Sequence, residues 1–266
     1  MRIIVPIKQV PETSNVKMDP VTGTMIRTGV EAIVNPLDLY ALEAALRLRE
    51  QHGGTITAVS MGPAVAEKAL REAIAMGCDD AVLLTDREFA GSDTWATAYA
   101  LSECIRKLGE YSLIICGERA TDGDTGQVGP SIAAFLDLPV ATYISRIREV
   151  TADGIRVDRL VEGGVETVWS ELPVVLTVVK DVAYPRLPTL AGKRRAREAQ
   201  VLVLGAADVA VRRNWIGLKG SPTRVVRIAR PQVGRHPEMI RVKEPSDLEW
   251  AAERFVEFLR ERNLLR

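Results

Sequence analysis

The chain has 266 residues, with 35 Lys and Arg balanced by 35 Asp and Glu, 47% hydrophobic residues and three cysteines. Such an apolar fraction excludes intrinsic disorder, and the length suffices for one large core or two smaller ones. Balanced charge excludes wholesale binding to nucleic acid or to an acidic membrane surface, although local patches stay possible. The longest apolar stretch, around Leu172 to Val179, is strand-sized, so no membrane insertion is expected. Met1 leads straight into Arg2-Ile3-Ile4-Val5, too soon for a signal peptide, and the expected setting is the cytoplasm. Cys78, Cys104 and Cys116 are odd in number and far apart, and the only histidines are His52 and His236. Neither a disulfide framework nor a metal site is legible.

Ile3 to Ile7 is a short β-branched run that predicts a strand buried on both faces. Pro11 to Thr28 departs from the pattern that follows. Its Asp19-Pro20 and Thr22-Gly23 turn signals, flanked by Val16, Met18, Met25 and Ile26, predict a small hairpin over the sheet edge. Pro36 opens a helix carrying Leu39, Leu42, Ala45 and Leu46, with Asn35 as its expected N-cap. Thr55 to Val59 reads as a strand, Pro63 to Met76 as a helix and Ala81 to Leu84 as a strand. Ser92 to Leu108 reads as a helix, Leu113 to Cys116 as a strand, and Ile132 to Leu136 lies on a further helix. This alternation predicts an α/β fold with a doubly wound parallel sheet.

The second half changes character. Tyr143 to Val150, Gly154 to Val161 and Glu166 to Ser170 alternate apolar and polar residues, with glycine turns between them, which predicts an antiparallel meander. Val174 to Val179 is apolar on both faces and should return to the main sheet. From Asp181 to about Val242 the chain is rich in proline and arginine with little periodicity, an extended arm rather than a domain. Ser246 to Arg262 closes it as an amphipathic helix with Leu248, Ala251, Ala252, Phe255, Phe258 and Leu259 on one face. The expected division is 1–180 for the α/β domain, including the meander over 143–171, and 181–266 for the arm.

Ligands of open parallel sheets sit beyond the carboxyl ends of the strands, where strand order reverses. In the common order that point lies between the first strand and the one ending at Cys116. The loops there are Lys8 to Pro11 and Gly117 to Pro130. The second carries Gly123, Gly126 and Gly129, which let the backbone approach a ligand, and it runs into a helix starting between Asp124 and Pro130. Asp124 with Gln127 resembles a capping box. Amides near Thr125 to Gly129 then lack helical partners and suit an anion, with Thr125 and Gln127 adding side-chain donors. Asp122 and Asp124 repel phosphate. They fit only as caps, as partners of ribose or ribityl hydroxyls, or as ligands of a metal beside a phosphate. An ordinary glycine-rich turn would look similar, but the position, the loop length and the covering hairpin favour a nucleotide.

Neither GxxxxGK[ST] nor GxGxxG occurs, so neither standard phosphate fingerprint applies. Lys8 could reach a phosphate or could simply be a solvated strand end. No Ser-His-Asp or Cys-His set is suggested, so no catalytic residue is expected, and the chain reads as a carrier or binding subunit. Lys193-Arg194-Arg195 with Arg197 is the one basic cluster, following Leu187, Pro188 and Leu190 in the arm. It is either a solvated helix face or a docking element that steers an acidic partner.

Several stretches together resemble the beta subunit of electron-transfer flavoproteins over nearly the whole chain. They are Val5 to Pro11, Asn35-Pro36-Leu37-Asp38, Ala58 to Pro63, Ala73 to Gly77, the Gly117 to Pro130 loop, Leu187-Pro188 and Gly217 to Thr223. The resemblance implies an adenine nucleotide alpha-hydrolase-like core and a heterodimer with an alpha subunit that carries one FAD. It places nucleotide contacts at Pro6, Ile7, Lys8, Asn35, Asp38, Met61, Ala120, Thr121, Asp122, Gly123, Asp124, Thr125, Gly126, Gln127 and Val128, in a stretch reaching Ser131. Leu187 matches the family's partner-recognition leucine, with Pro188, Lys193, Arg194 and Arg195 beside it.

In that family the beta subunit binds AMP in one type and a second FAD in the electron-bifurcating type. The AMP-type loop reads as an acidic run followed by Cys-Asn-Gln-Thr-Gly. Here Gly123, Thr125 and Gly126 stand instead, and smaller residues leave room for a second phosphate and a ribityl chain. The resemblance therefore implies a flavoprotein subunit that takes electrons from NADH. One electron would go to ferredoxin or flavodoxin, the other through the alpha-subunit FAD to an acyl-CoA dehydrogenase or quinone oxidoreductase. Two alternatives are an AMP-binding subunit of a non-bifurcating carrier and a stand-alone adenine-nucleotide-binding domain.

Overall fold

The computed structural model describes residues 1–12, 17–18, 25–26, 32–225 and 239–265, the two short pairs as backbone only. It divides into two units, Met1–Arg227 and Ile228–Arg266. The first strand, β1 (Arg2–Pro6), has Ile3, Ile4 and Val5 at 0–1% exposure, as a strand covered on both faces must. Next, β2 (Gln9–Pro11) pairs antiparallel with β5 (Ala32–Val34). Between them β3 (Lys17–Met18) pairs with β4 (Met25–Ile26), which agrees with the expected hairpin. Its turn, Val16 and its side chains lie outside the described residues.

The chain then alternates as α1 (Pro36–His52), β6 (Thr55–Met61), α2 (Glu67–Met76), β7 (Asp80–Leu84), α3 (Thr94–Leu108), β8 (Leu113–Gly117) and α4 (Val128–Leu136). Two helix starts differ from expectation. Pro63 precedes a single 3-10 turn at Ala64–Ala66 before α2 begins. The helix expected from Ser92 begins at Thr94, and Asp93 caps it, its carboxylate accepting the Ala96 amide at 3.0 Å.

After α4 come β9 (Val140–Val150), β10 (Gly154–Val161) and β11 (Gly164–Glu171), an antiparallel meander as its alternation predicts. The strand β12 (Val174–Val178), wholly buried, then inserts parallel between β8 and β9. The segment after Asp181 carries more structure than its composition announces. It forms α5 (Leu190–Glu198) and β13 (Leu202–Leu204), the latter parallel to β7 at the sheet edge. The full order is β11-β10-β9-β12-β8-β1-β6-β7-β13.

Alternate strand residues feed two cores. Ile3, Val5, Ile56, Ala58, Leu113 and Ile115 meet Leu42, Leu46, Leu70 and Ile74 of α1 and α2. On the other face Ile4, Val59, Val82, Leu84, Ile114 and Cys116 meet Leu101, Ile105, Ile132 and Ala133 of α3 and α4. All three cysteines are buried and free, and burial pushes the Cys78 and Cys104 thiols up to about 12.

A short helix α6 (Gly217–Gly220) follows in the arm. Trp215 packs within 5.1 Å of both Trp95 and Tyr99, ring centre to ring centre. Asp93 ties down the next residues, accepting the Thr223 amide and hydroxyl at 2.8 and 2.7 Å. Pro231, Pro237 and His236 lie outside the described residues. In the second unit α7 (Asp247–Glu261) is the expected closing helix, with Leu248 and Phe255 exposed. Among the described residues no helix is long and apolar enough to cross a membrane.

Candidate nucleotide-binding site

The strands β1, β6 and β7 step outward in one direction, whereas β8 and β12 lie on the other side of β1. Strand order therefore reverses between β1 and β8, which pair parallel through Ile3–Leu113 and Ile4–Ile114. Both loops leaving that point emerge at the carboxyl ends of their strands, the position at which open parallel sheets bind ligands.

Asn35 joins those loops. It occupies the N-cap position of α1, yet its side chain does not cap the helix. Its Nδ2 donates to the Arg119 carbonyl at 2.9 Å, and its Oδ1 accepts the Thr121 amide at 3.2 Å. Its backbone amide donates to the Lys8 carbonyl at 2.8 Å. Only 1% exposed, Asn35 is a buried latch whose two polar ends are both satisfied. The expected cap is thus given up for a longer-range role, because Pro36 at the helix start already leaves one less amide to satisfy.

Asp38, in the first turn of α1, accepts the Lys8 amide on Oδ2 at 2.7 Å. Burial pushes its carboxyl up to about 7. The Asn35 side chain, the Lys8 amide and the Lys8 charge oppose that rise, and the Asp122 charge adds to it. Lys8 itself is neither a bare strand end nor a free cation, since its Nζ pairs with Asp122 Oδ1 at 2.7 Å. That pair also accounts for Asp122, which spares the loop an uncompensated negative charge. Pro6 and Ile7 are buried at the end of β1, and Met61 ends β6 partly buried.

The loop over Ala120–Gln127 is mostly exposed. The capping box expected from Asp124 and Gln127 does not form. Gln127 holds the N-cap position of α4 without a side-chain cap, and Asp124 takes a left-handed φ of 40° with its carboxylate 3.6 Å from Arg119. Because the loop turns twice, at Asp124 and at Gly126 (φ 64°), the local helical geometry that a capping box needs is absent. Among the described residues, no acceptor pairs with the amides of Thr125, Gly126 or Gln127. The Val128 and Gly129 amides belong to the first turn of α4, where helix geometry supplies no acceptor. A run of unpaired donors thus leads into a helix N-terminus, where a phosphate is favoured.

The glycines differ in purpose. A Cβ on Gly123 would meet nothing within 4 Å, so space is open beside the loop. One on Gly129 would lie 2.6 Å from Thr177 Cγ2, so α4 can approach β12 and β8 only with glycine there. Two further residues border the loop without any sequence signal. Thr94 and Thr125 bond through their hydroxyls at 3.1 Å. Tyr143, at a left-handed φ of 56°, donates its amide to Thr177 Oγ1 at 3.1 Å and brings its hydroxyl near Gly126. Tertiary register alone places them there. Among the described residues no group of three or more His, Cys, Asp or Glu side chains could hold a metal ion.

The residues expected to dock a partner lie elsewhere. Leu187 is 87% exposed, and Lys193 and Arg194 face solvent on α5. Arg195 does not join them fully, because its Nη2 donates to the Ile74 and Cys78 carbonyls at 2.7 and 2.6 Å, closing the C-terminus of α2.

Residues 22–209 match the model of the electron transfer flavoprotein domain. The electron transfer flavoprotein subunit beta of Thermoanaerobacterium thermosaccharolyticum is 47% identical over 266 residues, the whole of both chains. Protein FixA of Azorhizobium caulinodans is 47% identical over 238 residues, 87% of this chain and 85% of that one. The caffeyl-CoA reductase-Etf complex subunit CarD of Acetobacterium woodii is 44% identical over 241 residues, 90% of this chain and 92% of that one.

Proposed function

Because the chain belongs to the electron transfer flavoprotein family, as a beta subunit, we propose that it pairs with an alpha subunit and holds a second FAD between the loops that follow β1 and β8. The observation that carries this reading is the run of unpaired amides from Thr125 to Gly129 at the switch point, beside the open space at Gly123. Those amides suit a pyrophosphate, and the open side leaves room beyond a single phosphate. Asn35 and the Lys8–Asp122 pair tie the two loops together, Asp38 anchors the first through the Lys8 amide, and Gln127 and the Thr125 hydroxyl add donors beside them.

The flavin, when bound, supplies the interconversion of two-electron and one-electron chemistry that no side chain here offers. NADH is the electron donor in this reading. Ferredoxin or flavodoxin would be the low-potential acceptor, and an acyl-CoA dehydrogenase or quinone oxidoreductase would be the other, served through the alpha subunit. The relative named as a subunit of a caffeyl-CoA reductase-Etf complex supports a partner that works on CoA esters. The docking surface for it is the exposed Leu187-Pro188 turn with Lys193, Arg194 and the stem of Arg195, and the setting is the cytoplasm.

The test is the nucleotide content of the complex co-purified with its alpha subunit, by absorbance and by mass spectrometry after denaturation. Two FAD and no AMP per heterodimer is the expected result. One FAD with one AMP would make this chain a scaffold and docking subunit, with no part in NADH oxidation.

A further inference from the structure

The segment from Tyr184 to Ala199 sorts its side chains into two sets. Tyr184, Leu187 and Leu190 are 85%, 87% and 86% exposed, the highest values of any large hydrophobic among the described residues. Along α5, Gly192, Arg195 and Ala196 face α2, where Ala196 is buried and a Cβ on Gly192 would collide with the Ala75 carbonyl. Leu190, Lys193, Arg194 and Arg197 follow the i, i+3, i+4, i+7 spacing of a single helix face; all four are exposed, and the Lys193 charge reaches Glu72 of α2, opposing the rise that burial gives that carboxyl. That face has an apolar tip and three cations, and its one acidic neighbour within the helix is Glu198, 3.7 Å from Arg194 and itself exposed. Tyr184, Leu187 and Pro188 also border a depression of about 270 Å³ shared with Leu39, Tyr40 and Met76.

Exposed apolar side chains on a loose turn fold back onto the nearest apolar surface. Here one residue opposes that collapse. Arg186 donates its backbone amide and Nε to Glu43 Oε2 at 3.1 and 2.8 Å, and its Nη2 to Glu43 Oε1 at 3.1 Å. Its Nη1 and Nη2 also reach the two carboxylate oxygens of Glu50. Glu43 is 3% exposed and is held from its other side by Arg47, whose Nη2 reaches the Tyr184 carbonyl at 3.5 Å. A buried carboxylate on a rigid helix thus fixes the turn at its centre, with its apolar side chains outward.

We propose that Arg186 is a positioning residue, holding Tyr184 to Leu190 as a preformed docking element for an electron-transfer partner whose contact surface is acidic around an apolar socket. This rests on the reading that the chain exchanges electrons with a dehydrogenase through this face. The acidic character follows from the Lys193, Arg194 and Arg197 stripe beside the apolar tip. Preformation removes the ordering cost that a flexible turn would add to each encounter.

The experiment uses the heterodimer and an acyl-CoA dehydrogenase, with steady-state transfer read as KM for the dehydrogenase and kcat, and hydrogen exchange read at amides 184–190. Arg186→Gln is expected to speed exchange in that segment and raise KM roughly tenfold, with kcat and bound nucleotide unchanged. Glu50→Gln, which removes the exposed half of the clamp, should raise KM in the same direction by a smaller factor and serves if Arg186→Gln folds poorly. Lys193→Glu should raise KM as well. Unchanged exchange, or faster exchange with unchanged KM, overturns the role of Arg186, as does an unchanged KM in Glu50→Gln. A lower KM in Lys193→Glu overturns the acidic partner. Leu187→Ala separates the two levels. If it raises KM while Arg186→Gln does not, the docking face stands without the clamp, and if neither does, the docking reading itself falls.

Discussion

Asp38 fills the place that a side chain on Gly117 would take, with its Oδ1 and the Leu37 carbonyl group both pressed against that position. Gly117 ends β8 and Asp38 lies in the first turn of α1, so the contact sets how closely the helix approaches the end of that strand. Gly117→Ala has to push either the carboxylate or the helix backbone aside, because the Leu37 carbonyl carbon lies 2.9 Å from the new methyl. The expected loss is about 1–3 kcal/mol of stability, with weaker nucleotide retention. Thermal unfolding and nucleotide content of the heterodimer measure both, and wild-type values for each would refute the steric argument.

The Asp38 carboxyl gives the fold a pH signature. Its folded pKa is raised from 3.8 to about 7, so the folded chain binds a proton that the unfolded chain has already released. Stability from this group is therefore fully present below pH 3.8, falls as pH rises toward 7 and then levels off. Each unit inside that window costs up to about 1.4 kcal/mol. Denaturant unfolding of nucleotide-free protein from pH 5 to 8 should show the slope, and Asp38→Asn should flatten it. Parallel wild-type and mutant curves would mean that the carboxyl stays ionised throughout.

Asn35 and Lys8 both bridge the two loops, but with different weight. Asn35→Ala removes two hydrogen bonds of a buried amide, to the Arg119 carbonyl and from the Thr121 amide, each worth about 0.5–1.5 kcal/mol. Lys8→Ala breaks a half-exposed ion pair, for which about 0–1 kcal/mol is expected. Urea unfolding of the two variants ranks them. Equal losses would show that the ion pair holds the loop as firmly as the amide does.

Gly192 lies where α5 crosses the last turn of α2, and a methyl there overlaps the Ala75 carbonyl oxygen. Alanine favours a helix over glycine by roughly 0.5–1 kcal/mol, yet here the clash outweighs it and Gly192→Ala should dislodge α5. Trypsin cleavage after Arg194, Arg195 and Arg197 should then speed up several-fold. A variant as resistant as wild type would show that α5 is held by Arg195 and Arg71 alone, through their bonds to backbone carbonyls.

The sequence by itself determined the parallel sheet, the switch point and the glycine-rich loop beside it. β-branched runs of strand length, helix periodicity between them and glycines after the strand ending at Cys116 are local signals, and the structure keeps them in the expected order. The meander was equally legible, since alternation along each strand survives whatever packs behind it. What tertiary structure alone decided concerns residues whose partners are distant in the chain. Asn35 sits where an N-cap belongs and instead spans 84 residues to Arg119. Arg195 belongs to a basic cluster and instead closes a helix 117 residues earlier in the chain. Arg186 is one arginine among several in a proline-rich arm, and β13 is too short for any period to register. Amide, guanidinium and carboxylate groups bond to whatever the fold brings within 3 Å. Sequence spacing encodes their chemistry, and only the packed sheet chooses their partners.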